Sequence, residues 1–118
     1  MRHASLILVA LMVAGCASMM QASPQSIALT VVNIETPQGV KIWEPASVIA
    51  RKGDTVALKL INRHSDEHGY EIAAYGIKEV VQANQSKDVS FKADKAGVYP
   101  IKCHLHPAHV VGQLLVLE

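Results

Sequence analysis

Cys103-His104-Leu105-His106-Pro107-Ala108-His109 spaces a thiol and two imidazoles three residues apart. A tight loop could turn all three toward one point. Thiolate with imidazole is a soft-to-borderline donor set that suits copper or zinc rather than magnesium or calcium. A fourth donor has to come from elsewhere in the chain, and His68 is the candidate. It begins a separate segment, and Gly69 directly after it permits close backbone approach. The Gly69 amide then lies in reach of the thiolate, a contact of the kind that tunes a metal centre. Two imidazoles and a thiolate in a trigonal plane, with a weaker axial donor, is the blue-copper arrangement, whereas a Cys-His3 tetrahedron suits zinc. Copper stands above zinc in the usual affinity order, so one copper per chain is the expectation.

Each residue also has a plainer reading. Cys103 behaves as a buried small hydrophobe if no ion is bound. His68 is otherwise a surface histidine at a strand start, and His109 a solvent-facing one, with a valine or a carbonyl in the axial place. His104 alternates away from Cys103 and is expected to be exposed. His64 lies in the loop before His68, and a second, weak metal site using His64 or His104 is conceivable.

The elements that position these side chains read as strands. Short β-branched segments are divided by Gly, Pro, Asn and Asp at sandwich-like spacing. Strands are expected over 27–35, 47–51, 55–61, 68–73, 77–81, 87–91, 97–103 and 112–117. Val56, Leu58 and Leu60 alternate onto one face, and Val89 and Phe91 point inward. The stretch from Pro37 to Pro45, with Gly39 and Trp43, reads as an irregular loop. Trp43 and the three tyrosines are scattered, which fits core and loop anchors better than a stacking platform. No stretch carries helical periodicity of useful length. The fold class is all-β: one Greek-key β-sandwich of about eight strands, spanning residues 27–118.

The start of the chain is different. Met1-Arg2-His3 is basic, and Ala4 to Ala14 is apolar apart from Ser5, the length of a signal-peptide core and too short to span a bilayer. Val13-Ala14-Gly15-Cys16 resembles the bacterial lipobox, which implies a signal peptide over 1–15, lipidation at Cys16 and a polar tether over 16–26. Two alternatives are cleavage after Ala22 and an uncleaved anchor. More than one acyl chain gives stable anchoring, and Ala17 in place of Asp resembles lipoproteins sent to the outer membrane. A periplasmic protein held to the membrane by its lipid alone is therefore expected. The balance of 11 Lys and Arg against 10 Asp and Glu offers nothing to nucleic acid. Of the two cysteines, lipidation at Cys16 leaves only Cys103. A lone thiol in an oxidising compartment is a liability unless something uses it.

The C-terminal part resembles the cupredoxins, which carry a Cys-x-x-His-x(2–4)-Met loop between their last two strands. Cys103-x-x-His106-x-x-His109 is similar to the short loop of amicyanin, with His109 where the axial Met would stand. Over residues 47–118 the closer resemblance is to nitrosocyanin, a red mononuclear copper protein. It rests on Arg51-Lys52-Gly53-Asp54, Tyr75-Gly76-Ile77-Lys78-Glu79-Val80, Ser90-Phe91-Lys92-Ala93-Asp94-Lys95-Ala96-Gly97 and Cys103-His104-Leu105-His106-Pro107. The resemblance implies copper ligands at Cys103, His106 and His109. The nitrosocyanin Glu ligand falls at His68, where ordinary cupredoxins carry their first His. The implied set is Cys-His3. An axial imidazole binds Cu(II) more strongly than Met, so a green-to-red centre of lowered potential is expected. The expected role is one-electron transfer to a redox partner protein. Behind it stand copper tolerance, by sequestering or oxidising Cu(I), and small-molecule binding at an open copper position. All four methionines fall at or before residue 20, so residues 21–118 contain no Met-rich copper-handling stretch.

Overall fold

Alternation of apolar and polar residues places one face of each strand in a shared core. The computed structural model describes Gly15 and residues 22–118. The apolar leader and Cys16 lie outside the described residues, and with them the lipidation and signal-peptide expectations. Nine strands form among the described residues: β1 (Ser26–Glu35), β2 (Lys41–Glu44), β3 (Ser47–Arg51), β4 (Thr55–Asn62), β5 (His68–Ile72), β6 (Ile77–Val81), β7 (Ser86–Lys92), β8 (Gly97–Ile101) and β9 (Gly112–Leu117). One 3-10 turn, Ala73–Tyr75, is the only helical piece among the described residues.

Two layers enclose the core. One sheet has the order β2-β1-β4-β7, with β1 and β4 parallel from Ser26↔Thr55 to Asn33↔Asn62. The other has the order β3-β9-β8, with β3 and β9 parallel, beside the antiparallel pair β5-β6. Parallel neighbours distant in sequence cannot be joined by a tight turn and need crossover connections, which here pass between the layers of a β-sandwich. Val56, Leu58 and Leu60 of β4 are fully buried, as their alternation predicts, against Val48, Leu114, Val116, Tyr70 and Ile72 from the facing layer. Each such side chain contributes about 1.5–3 kcal/mol. Val89 and Phe91 of β7 pack partly buried on this cluster.

The ninth strand is the departure from the expected eight. β2 holds only four residues between Gly39 and Pro45, too few to show alternation. It exists because the chain turns back after Thr36, whose amide donates to the Val40 carbonyl, and pairs Trp43 with Asn33. Trp43 is thereby a buried strand residue.

Two connections matter for the site. The Asp54 carboxylate accepts the backbone amides of Gln25 and Arg51, each at 2.8 Å, tying the start of β1 to the β3–β4 turn. Those two donors, Gln25 first, hold its pKa below the usual aspartate value. Beyond β8 an isolated bridge pairs Lys102 with Glu71, through amide-to-carbonyl bonds of 2.8 and 3.0 Å. That bridge fastens β5 to the end of β8, one residue from Cys103.

Candidate metal centre

His68, Cys103, His106 and His109 converge at one end of the sandwich, each offering a donor atom, all within 4.8 Å of one another. They reach that point by different routes. His68 opens β5 and faces inward with Tyr70 and Ile72, so its ring is completely buried. Cys103 lies two residues past the end of β8, earlier than the predicted strand end, and its direction is set by the Lys102–Glu71 bridge. Two successive turns then follow. The His106 amide donates to the Cys103 carbonyl at 3.2 Å, and the His109 amide to the His106 carbonyl at 3.0 Å. The repeated three-residue turn is what returns every third side chain to the same side.

The distances suit an ion. Cys103 Sγ stands 3.3 Å from His106 Nδ1 and 3.9 Å from His68 Nδ1. Bonds of about 2.0 Å to nitrogen and 2.3 Å to sulfur put such donors roughly 3.5–3.7 Å apart across tetrahedral to trigonal angles, a span that the two contacts bracket. The imidazoles of His106 and His109 are stacked with centroids 4.5 Å apart, and both lie 5.0 Å from the His68 ring. His109 Nδ1 is buried without a hydrogen-bond partner. An orphaned buried nitrogen costs free energy unless something satisfies it, and a metal ion beside the thiol would. The donor set and its geometry both fit copper.

Burial and neighbouring cations favour the neutral form of two of the donors, His68 and His109. Burial pushes the His68 pKa down to about 4, and the neighbouring His109, His64, His106 and Lys41 push the same way. His109 is lowered for the same first reason, with His106 and Lys41 beside it. A neutral imidazole is the form that ligates a metal.

The Gly69 amide donates to Cys103 Sγ at 3.2 Å. On its other side the Gly69 carbonyl accepts the Trp43 indole N–H at 2.9 Å, so β2, which the sequence pattern does not reveal, helps to hold this peptide. Glycine is required there because a Cβ would lie 2.5 Å from His104 Nδ1 and 3.0 Å from the His104 backbone nitrogen. Gly69→Ala is expected to displace His104, lengthen the N–H···S contact and cost about 1–3 kcal/mol through overpacking. Urea unfolding measures that cost. In the copper-loaded protein a lower reduction potential is the companion result, because the thiolate loses a donor.

Two histidines depart from expectation. His104 is half-buried over Gly69 rather than exposed. Among the described residues His64 joins no second cluster; its Nδ1 stands 3.0 Å from His68 Nε2. Nothing in the spacing of His64 and His68 marks this contact. The nearest signal is Asn62, whose Oδ1 accepts the His64 amide two residues on, as Asn does in turns. A cleft lined by Glu71, Lys102, His104, Pro107 and Val111 opens beside the cluster.

The fold is similar to that of the metal-binding domain of the Cu(I)-exporting P-type ATPase CopA of Streptococcus pneumoniae D39, in a structure with Cu(I). The TM-score is 0.66 at 14% identity, over 83% of this chain and 92% of that one. It is also similar to copper nitrite reductase from Nitrosomonas europaea, with a TM-score of 0.65 at 22% identity, over 78% of this chain and 41% of that chain. At these identities the likeness is one of fold, and this chain spans less than half of the reductase. No curated protein matches it in sequence. The family profile of the cupredoxin-like domain matches residues 5–116, nearly the whole chain, and the chain belongs to that family.

Proposed function

We propose that this protein is a mononuclear copper protein that carries single electrons in the periplasm, and that Cys103, His68, His106 and His109 would hold the copper. The observation that carries the reading is the convergence of one thiol and three imidazoles on a frame of paired strands. Bound there, copper supplies a one-electron couple between Cu(II) and Cu(I). The chain's part is to keep the donors in place in both states. His68 is fixed by β5, Cys103 by the Lys102–Glu71 bridge, and His106 and His109 by consecutive turns. Because no ligand need move far, reorganisation is small.

Access supports the carrier role. His106 and His109 are only partly buried, whereas His68 and Cys103 are enclosed. Leu105, Val110 and Val111 are 36%, 45% and 51% exposed around them, and Pro107 and Ala108 are exposed too. This apolar rim suits a transient redox partner, with little electrostatic steering from a chain of formal net charge +1. The amicyanin-like loop length and the nitrosocyanin-like segments belong to the same reading, as do lipidation at Cys16 and anchoring to the outer membrane. Copper sequestration is the second reading. The fold it shares with the metal-binding domain of a Cu(I) exporter favours it.

Optical and EPR spectra of the protein titrated with Cu(II) test the centre. One equivalent is expected to give intense thiolate-to-copper charge transfer of green-to-red type. His109→Met, which replaces an imidazole donor by a weaker thioether, is expected to shift it toward blue and raise the potential. Reversible reduction with little change of affinity supports electron transfer. Cu(I) binding tighter than Cu(II) by orders of magnitude supports sequestration. A colourless protein that binds copper equally well without Cys103 would sink both.

A further inference from the structure

His68 uses only one of its two ring nitrogens toward the cluster. Nδ1 faces Cys103 Sγ, and Nε2, on the opposite side of the ring, faces His64 Nδ1 at 3.0 Å with the two rings nearly edge-on. His68 is completely buried, so water does not serve Nε2 in place of His64. A neutral imidazole carries one proton and one lone pair. If Nδ1 is the donor to a metal, the proton is on Nε2, and His64 Nδ1 is its acceptor.

His64 is itself built into position. Its amide donates to Asn62 Oδ1 at 2.9 Å, and its carbonyl accepts the Asn84 amide at 3.2 Å. Asn62 is buried, and its Nδ2 donates to the carbonyls of Asp66 at 2.7 Å and Val81 at 3.0 Å. Val81 is the register partner of His68 across β5 and β6. One side chain at the end of β4 thus shapes the loop that carries His64 and fastens it to the strand beside His68.

We propose that His64 is a positioning residue for the metal centre: its Nδ1 accepts the His68 Nε2 proton, and so fixes the tautomer and ring orientation that turn His68 Nδ1 toward Cys103. The inference rests on the copper reading of the site for its consequence, but not for its geometry. Partners on the far nitrogen of a ligating histidine strengthen it as a donor, and their loss typically lowers metal affinity about 10–100-fold. A stronger imidazole donor favours Cu(II) over Cu(I), so His64 also lowers the potential. Each tenfold loss of Cu(II) affinity relative to Cu(I) raises it by about 59 mV.

The test compares wild type with His64→Leu, which keeps bulk and removes the acceptor, and His64→Asn, whose Oδ1 can stand near the place of Nδ1. Long-range 1H–15N correlation spectra of the metal-free protein read the tautomer directly. Wild type and His64→Asn should show His68 protonated at Nε2 alone, and His64→Leu a mixture of tautomers. With copper, His64→Leu should bind Cu(II) about 10–100-fold more weakly at a raised potential, with His64→Asn near wild type. A His68 proton on Nδ1 in wild type overturns the proposal, as does a His64→Leu protein with unchanged tautomer, affinity and potential. A wild-type protein with the Nε2 tautomer but no copper bound through Cys103 overturns the copper reading instead, leaving the positioning role supported. Circular dichroism of each metal-free variant separates these results from misfolding; should His64→Leu not fold, His64→Ala, which also removes the acceptor, takes its place in the same comparison.

Discussion

Cys103→Ala is expected to abolish the charge-transfer absorption of the copper-loaded protein and to lower its Cu(II) affinity by more than about a hundredfold, the upper end of what losing a mere partner of a ligand costs. The chain has two cysteines and four methionines, and after residue 20 Cys103 is the only sulfur left. Any sulfur-to-copper transition in the folded domain must therefore originate at this atom. The substitution is also mild on the fold. Cys103 is 6% exposed and follows β8 without belonging to the hydrophobic cluster. Its removal orphans the Gly69 amide, a cost of about 1–3 kcal/mol. Thermal unfolding of the metal-free variant measures that cost, and equilibrium dialysis or competition with a chromophoric chelator measures the affinity. Retention of colour would mean that the copper is held elsewhere. Unchanged affinity without colour would leave His68, His106 and His109 as a site that does not use the thiol.

These residues are legible because a turn of fixed period leaves a trace in sequence. Cys103, His106 and His109 recur every third residue, and the backbone bonds from His106 to Cys103 and from His109 to His106 are the structural counterpart of that spacing. β4 is legible for a similar reason, since period-two burial of Val56, Leu58 and Leu60 is a property of one strand alone. What stays hidden depends on pairing across the chain. β2 is a strand by virtue of its ladder with β1, and its four residues carry too few positions to display a period. The placement of His64 depends on the carbonyls that Asn62 Nδ2 finds, one of them on β6. Alternation misplaces His104 because it presumes a strand that continues through Cys103. The strand ends at Ile101, and the residue after Cys103 packs on Gly69 instead.

The metal-free protein is expected to lose stability on mild acidification, over a window set by His68. In the unfolded chain this histidine titrates near 6.5, and in the folded protein burial lowers that to about 4. Between those values the unfolded state binds a proton that the folded state does not. The slope of stability against pH is then positive, so stability is fully present above about pH 6.5 and falls as pH drops toward 4. At about 1.4 kcal/mol for each pH unit between the two values, the loss attributable to His68 is on the order of 3 kcal/mol. That is a large share of the roughly 5–15 kcal/mol typical of a domain of this kind. His109, lowered for the same reason, adds in the same direction. Urea unfolding at closely spaced pH values across this window measures the slope, and His68→Leu removes the titrating group from both states and should flatten it. An equally steep slope in His68→Leu would assign the acid sensitivity to other groups, and would mean that His68 protonates in place without disturbing the fold. A flattened slope carries a consequence for the site. The ring enclosed by β5 and its neighbours is then held neutral before any ion arrives, which is the form in which an imidazole can ligate copper.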